Sequence, residues 1–131
     1  MFKIDNLNNF VKFELLEFSN ECQEFKFLVN IECGSFIIKD KIVYVYKQEL
    51  VNFYNQLEQC YDKVSGEVIS EFEYDEDIKL KLTFAPNGGV AVNCNIFDYG
   101  ANINKCFVEF ETDQTFIKSS LEQIKIILNK N

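Results

Sequence analysis

The sequence predicts an α+β fold: a mostly antiparallel sheet of about six to eight strands with two amphipathic helices, at about 47–64 and 113–129, packed on it. Three observations carry this expectation. Alternating apolar and polar residues recur in both halves of the chain, two stretches change to a 3.6-residue period, and the strands follow one another through short turns. Short links join antiparallel neighbours, whereas parallel pairs need long crossovers.

Residues 10–18 (FVKFELLEF) read as a strand whose alternation slips at Leu16, which predicts a bulge there. In 24–33, Phe25, Phe27, Val29, Ile31 and Cys33 share one face and Lys26, Leu28, Asn30 and Glu32 the other, a half-buried strand. Phe36–Ile38 and Ile42–Tyr46, separated by Asp40-Lys41, form either a hairpin or one kinked strand. From Lys47 the apolar positions become Leu50, Phe53, Tyr54, Leu57, Cys60, Tyr61 and Val64, one helix face ending near Ser65-Gly66. Val68, Ser70, Phe72 and Tyr74 then alternate, as do Ile78, Leu80, Leu82 and Phe84, around the acidic turn Asp75-Glu76-Asp77. Asn87-Gly88 marks the next hairpin, since short loops demand positive φ angles. Val90, Val92, Cys94 and Ile96 continue the meander, and a polar loop from Asp98 to Asn104 leads to a strand with Cys106, Val108 and Phe110 inward. Thr112 or Asp113 caps a final helix with Ile117, Leu121, Ile124 and Leu128 inward. No linker, internal repeat or low-complexity segment interrupts the 131 residues, so residues 1–131 are expected to form a single domain.

Composition narrows the function. The apolar share of 47 %, with 14 Phe and 6 Tyr, is far above that of a disordered chain. There are 21 acidic residues against 13 basic ones, all lysine, for a net charge of −8. Such a surface repels phosphate backbones, and without arginine it lacks the bidentate fork that reads guanine or phosphate, so nucleic acid is not an expected partner. The charge either keeps the chain soluble or steers it toward a basic protein surface. No leader is visible in Met1–Phe10 and no apolar run approaches the ~20 residues of a membrane span. With no membrane expected and five cysteines on mostly apolar stripes, the compartment is expected to be the reducing cytoplasm.

No catalytic constellation is recognisable in the sequence. The chain contains no histidine, which removes Ser-His and Cys-His nucleophile pairs and the histidine general base. Cys22, Cys33, Cys60, Cys94 and Cys106 include no C-x-x-C pair, so no metal site and no cofactor site is expected. Gly88-Gly89 opens a strand, not a helix that could hold a phosphate. The one dense constellation is Glu71, Glu73, Asp75, Glu76 and Asp77. It lacks calcium-loop spacing and any neighbour that would split two carboxyl pKa values. It reads either as a solvated hairpin tip that discourages edge pairing or as a negative patch for a basic partner. These residues sit outside the apolar stripes, so replacing Asp75, Glu76 and Asp77 is expected to leave folding untouched. Should the patch play no part in binding, the sheet face around Leu28, Asn30 and Glu32 is the alternative surface.

Several segments together resemble a known family. Gly34-Ser35-Phe36, the helix, the Gly66-led strand, Ile78-x-Leu80-x-Leu82, Gly89-Val90-x-Val92 and above all Phe107 to Phe116 (FVEFETDQTF) are similar to the WapI-like immunity proteins, which are encoded beside wall-associated polymorphic toxins of bacteria. The resemblance runs from about residue 10 to 128, with Phe36 standing where many relatives carry tryptophan. It implies a small cytosolic protein that binds a cognate toxin domain, often a nuclease, and blocks it without chemistry. The alternatives are a small-ligand-binding or regulatory interaction domain and an enzyme using carboxylates or a cysteine nucleophile.

Overall fold

Among the described residues the apolar alternation resolves into eight strands, and helix α1 divides them into two sheets of four. The computed structural model describes residues 1–72, 77–99 and 103–131. The first half runs β1 (Phe2–Asp5), β2 (Phe10–Ser19), β3 (Glu24–Cys33), β4 (Phe36–Tyr46) and α1 (Lys47–Lys63). The second runs β5 (Gly66–Ile69), β6 (Ile78–Phe84), β7 (Gly89–Tyr99), β8 (Ile103–Asp113) and α2 (Gln114–Lys130). Each sheet is an antiparallel meander, ordered β1-β2-β3-β4 and β5-β6-β7-β8. The chain thus repeats one plan, four strands and then a helix, although no sequence repeat announces it.

Local chemistry explains the irregularities. Leu16 is the extra residue where the β2–β3 register shifts between Leu15 and Glu17, and it lies 48 % exposed. The segment after Gly34-Ser35 is one kinked strand rather than a hairpin. Cys33 pairs with Phe36 across that two-residue turn, and Gly34 takes the positive φ of 60° that the turn requires. The kink sits at Asp40, also at φ 60°, where the register shifts between Val29 and Ile31 and the Asn30 side chain accepts from the Asp40 amide at 2.9 Å. At the β6–β7 turn only Gly88 of the Asn-Gly pair has positive φ. Asn87 contributes its side-chain oxygen instead, accepting from Gly89 N at 2.9 Å. The polar loop expected at 98–104 shortens, because β7 runs to Tyr99 and β8 begins at Ile103; Gly100 lies outside the described residues. Tyr74 and the tip of the acidic turn lie outside them too.

Inward side chains of both sheets and both helices form a contiguous core. Its densest part is aromatic. Phe2 stacks on Phe13 at 4.6 Å, and both meet Phe27 edge-on at 5.7 Å. Helix α1 buries Leu50, Phe53, Leu57 and Cys60, with Tyr54 and Tyr61 half-buried beside them. Its end falls at Val64, whose left-handed φ of 55° and backbone N–H donating to Cys60 O close the last turn. Helix α2 buries Ile117, Leu121 and Ile124 as expected, and also Ser120 and Ile127.

The two helices pack on each other, and each also reaches the first strand of the other half: α1 lies against β5 and α2 against β1. On the β1 side the fit is polar as well as apolar. Buried Ser120 donates to Lys3 O at 2.6 Å, and Gln123 accepts from Lys3 N at 2.9 Å. Thr112 donates to Asp5 O at 2.6 Å, so the open edge of β1 is satisfied by α2 and β8.

Asp113 caps α2, its carboxylate accepting from Thr115 N at 2.9 Å and Phe116 N at 3.4 Å. Asp113→Ala should therefore lower stability by about 1 kcal/mol, read as a reduced urea midpoint at unchanged slope. A variant as stable as the parent would show that Thr112 or water replaces the cap.

Candidate functional site

Of the five acids singled out in the sequence, the structure places two. Glu73, Asp75 and Glu76 lie outside the described residues. Glu71 is exposed just beyond β5 and lines a cleft of about 610 Å³ beside α1, with Tyr46, Gln48, Asn52, Gln56 and Gln59 on its wall. Asp77 is different. Its carboxylate accepts from Lys41 Nζ of β4 at 3.2 Å and its carbonyl accepts from Phe97 N at 2.8 Å. Only 15 % of the Lys41 side chain is exposed. Asp77 therefore ties the β6 hairpin to the edge of the other sheet, and the expectation that its replacement would not touch folding is corrected for this residue. Losing the pair should cost up to about 1 kcal/mol, the usual range for a partly exposed bridge.

The cleft beside α1 is walled by side-chain amides. Cys22 and Glu49 also line it, but Glu49 is engaged as the acceptor for Tyr46 N at 2.9 Å. A cysteine nucleophile there would need a base to take its proton, and the sequence offers no histidine. Among the described residues no group of three His, Cys, Asp or Glu is placed to hold a metal ion. The titrating groups pushed from their ordinary values are structural. Burial pushes the Cys94 thiol up to about 12, with nearby Cys106 adding to it. Burial also raises Cys60, Lys63 opposing, and raises Tyr54, helped by its hydrogen bond to Glu58.

A second cleft, about 460 Å³, opens between the middle of β4 and the paired β7 and β8, lined by Ile38, Lys41, Ile42, Ile96, Lys105 and Cys106. Lys41 is engaged by Asp77, and the Lys105 ammonium lies 5.4 Å from the Phe97 ring centroid. What remains there is a short apolar furrow.

The outer face of β2, β3 and β4 carries an apolar surface. Strand pairing lays it out in rows: Phe10, Glu32, Ile37; then Glu14, Leu28, Ile42; then Glu17, Lys26, Tyr44. Ile37 is 57 % exposed, and Tyr46, in the next row, is 38 % exposed. Neither helix covers this face, because both pack on the other side and at the strand ends. Leu28 was visible as an outward residue in the sequence. Ile37, Ile42 and Tyr44 were not, because Ile42-Val43-Tyr44-Val45-Tyr46 has apolar residues on both phases, the pattern of a strand covered on both faces, and nothing in it says which face stays open.

These features define an α+β protein with a half-covered apolar sheet face, scattered surface carboxylates and, among the described residues, no assembled catalytic or metal centre. The family model described as "Immunity protein WapI-like family" matches residues 1–131, and the chain belongs to that family. No curated protein matches it. No helix among the described residues is long and apolar enough to cross a membrane.

Proposed function

We propose that this chain is a cytoplasmic immunity protein that neutralises a cognate toxin domain by binding it directly, without catalysis, and that the toxin surface it meets is basic, as a nuclease's would be. Membership of the WapI-like immunity family along the whole chain is the observation that carries the reading. The absence of histidine and the charge of −8 support it, since both suit an inhibitor that presents carboxylates where a nuclease presents cations to nucleic acid. The proposal is tested with the toxin domain encoded beside this gene. Co-expression should protect cells from that domain, and the two purified proteins should elute together in gel filtration. Protection without a complex, or turnover of the toxin by catalytic amounts of this chain, would overturn it.

Within this reading the acidic turn contributes to capture. Exposed rim charges act chiefly on the association rate and lose their effect as salt rises. Amide replacement of Glu71, Glu73, Asp75 and Glu76, leaving Asp77 on Lys41, should slow association about three- to fivefold at low salt and leave dissociation unchanged. Stopped-flow mixing at two salt concentrations reads this directly, and equal rates at low salt would reduce the turn to a solvated tip.

A further inference from the structure

We propose that the outer face of β2, β3 and β4 is the docking surface for the basic toxin domain, with Leu28 and Ile42 at its centre. This rests on the immunity reading above and specifies where that reading is executed.

The composition of the face is the first argument. Interface centres combine aliphatic and aromatic side chains with few charges, and the rims are polar. Here Leu28 and Ile42 lie side by side, with Ile37 on one flank and Tyr44 and Tyr46 on the other. Exposed Glu14, Glu17 and Glu32 border them. A rigid sheet offers this patch at little entropic cost, because its backbone is already fixed by pairing on both sides of β3.

Charge decides the occupant. The outward acids of the sheet are Asp5, Glu14, Glu17, Glu24 and Glu32, with exposed Asp40 at the kink, and the outward cations are Lys3, Lys12, Lys26 and Lys39. Lys3 is already paired with Asp5 at 3.5 Å. A second copy docked on this face would bring two chains of charge −8, each with exposed Glu14, Glu17 and Glu32, into one interface, which disfavours self-association. A partner carrying lysines or arginines around an apolar centre meets the opposite field.

The geometry of β4 decides the mode. Strand addition needs a straight, uncharged edge, but β4 is kinked at Asp40 and carries Lys39, Asp40 and Lys41 in succession at its middle. A partner therefore crosses the face instead of extending the sheet.

The test uses the full chain and the purified toxin domain encoded beside its gene. Ile42→Lys, which places a cation at the centre, should weaken binding at least about 30-fold, as loss of an interface centre does. Glu14→Lys with Glu17→Lys should slow association about tenfold at low salt. Phe107→Lys, 52 % exposed on the outer face of the other sheet, should bind within about twofold of the parent. Ile37→Lys serves if Ile42→Lys fails to fold, as judged by circular dichroism. If the parent binds and the β2–β4 variants bind equally well, or only Phe107→Lys is impaired, the docking face is overturned while the immunity reading stands. If the parent does not bind at all, both fall.

Discussion

Replacing Phe13 with alanine is expected to lower the free energy of unfolding by about 4 kcal/mol and the melting temperature by about 15 °C. Phe13 is fully buried, lies parallel to the Phe2 ring at 4.6 Å, and stands at 89° to Phe27 at 5.7 Å. It is thus the middle of three rings that join β1, β2 and β3. Truncation loses the transfer energy of the ring, leaves a cavity that the paired backbones cannot close, and removes two aromatic contacts of about 1 kcal/mol each. The Phe2→Ala, Phe13→Ala double variant should be less damaged than the sum of the singles, by about 1 kcal/mol, because the stacked pair is lost only once. Urea unfolding of the four proteins measures this coupling. A Phe13→Ala cost below about 1.5 kcal/mol would mean that the cluster collapses to refill the space.

Alkaline pH should destabilise the protein through Cys94. Its thiol, ordinarily near 9.0, is held neutral up to about 12 in the fold by burial on β7 and by nearby Cys106. Below pH 9 it is neutral in both states and contributes nothing. Between 9 and 12 the unfolded chain gives up the proton and the native chain keeps it, so unfolding is favoured by up to about 1.4 kcal/mol for each pH unit. The measurement is the difference in slope between the parent and Cys94→Ala. Identical slopes would refute the assignment. The same burial orders thiol reactivity at neutral pH. Exposed Cys22 should label first, half-buried Cys33 and Cys106 later, Cys94 last, and all five after unfolding.

Both helices were legible because their apolar stripes are long, Ser65-Gly66 marks the end of α1 and Asp113 the start of α2, whereas the capping by Glu49 and the left-handed turn at Val64 were not. The inward phases of β2, β3, β6, β7 and β8 were legible for the same reason, and even Ser70 was placed correctly on a buried face, where it accepts from Leu80 N. Strand β1 was not. Four residues, FKID, are too few to establish alternation, and its position is fixed by Phe13, Ser120 and Gln123, which no local window contains. The division into two sheets was invisible because antiparallel neighbours look alike on either side of α1. At the candidate site, the acidic run was conspicuous in sequence, but the engagement of Asp77 by Lys41, 36 residues away, was not. Nor was the two-sided apolarity of β4 enough to show which face stays open.

The exchange of helices between the halves governs when this protein can fold. Residues 1–63 contain a complete four-strand meander, yet the edge of β1 finds its partners only at Ser120 and Gln123, across sequence separations of 117 and 120 residues. A nascent chain that has finished α1 therefore still exposes the β1 edge and the phenylalanine-rich side of its first sheet, and β5 is not yet there to receive α1. The native contacts of β1 can form only once α2 has been synthesised, so they belong to the last part of the chain to be made.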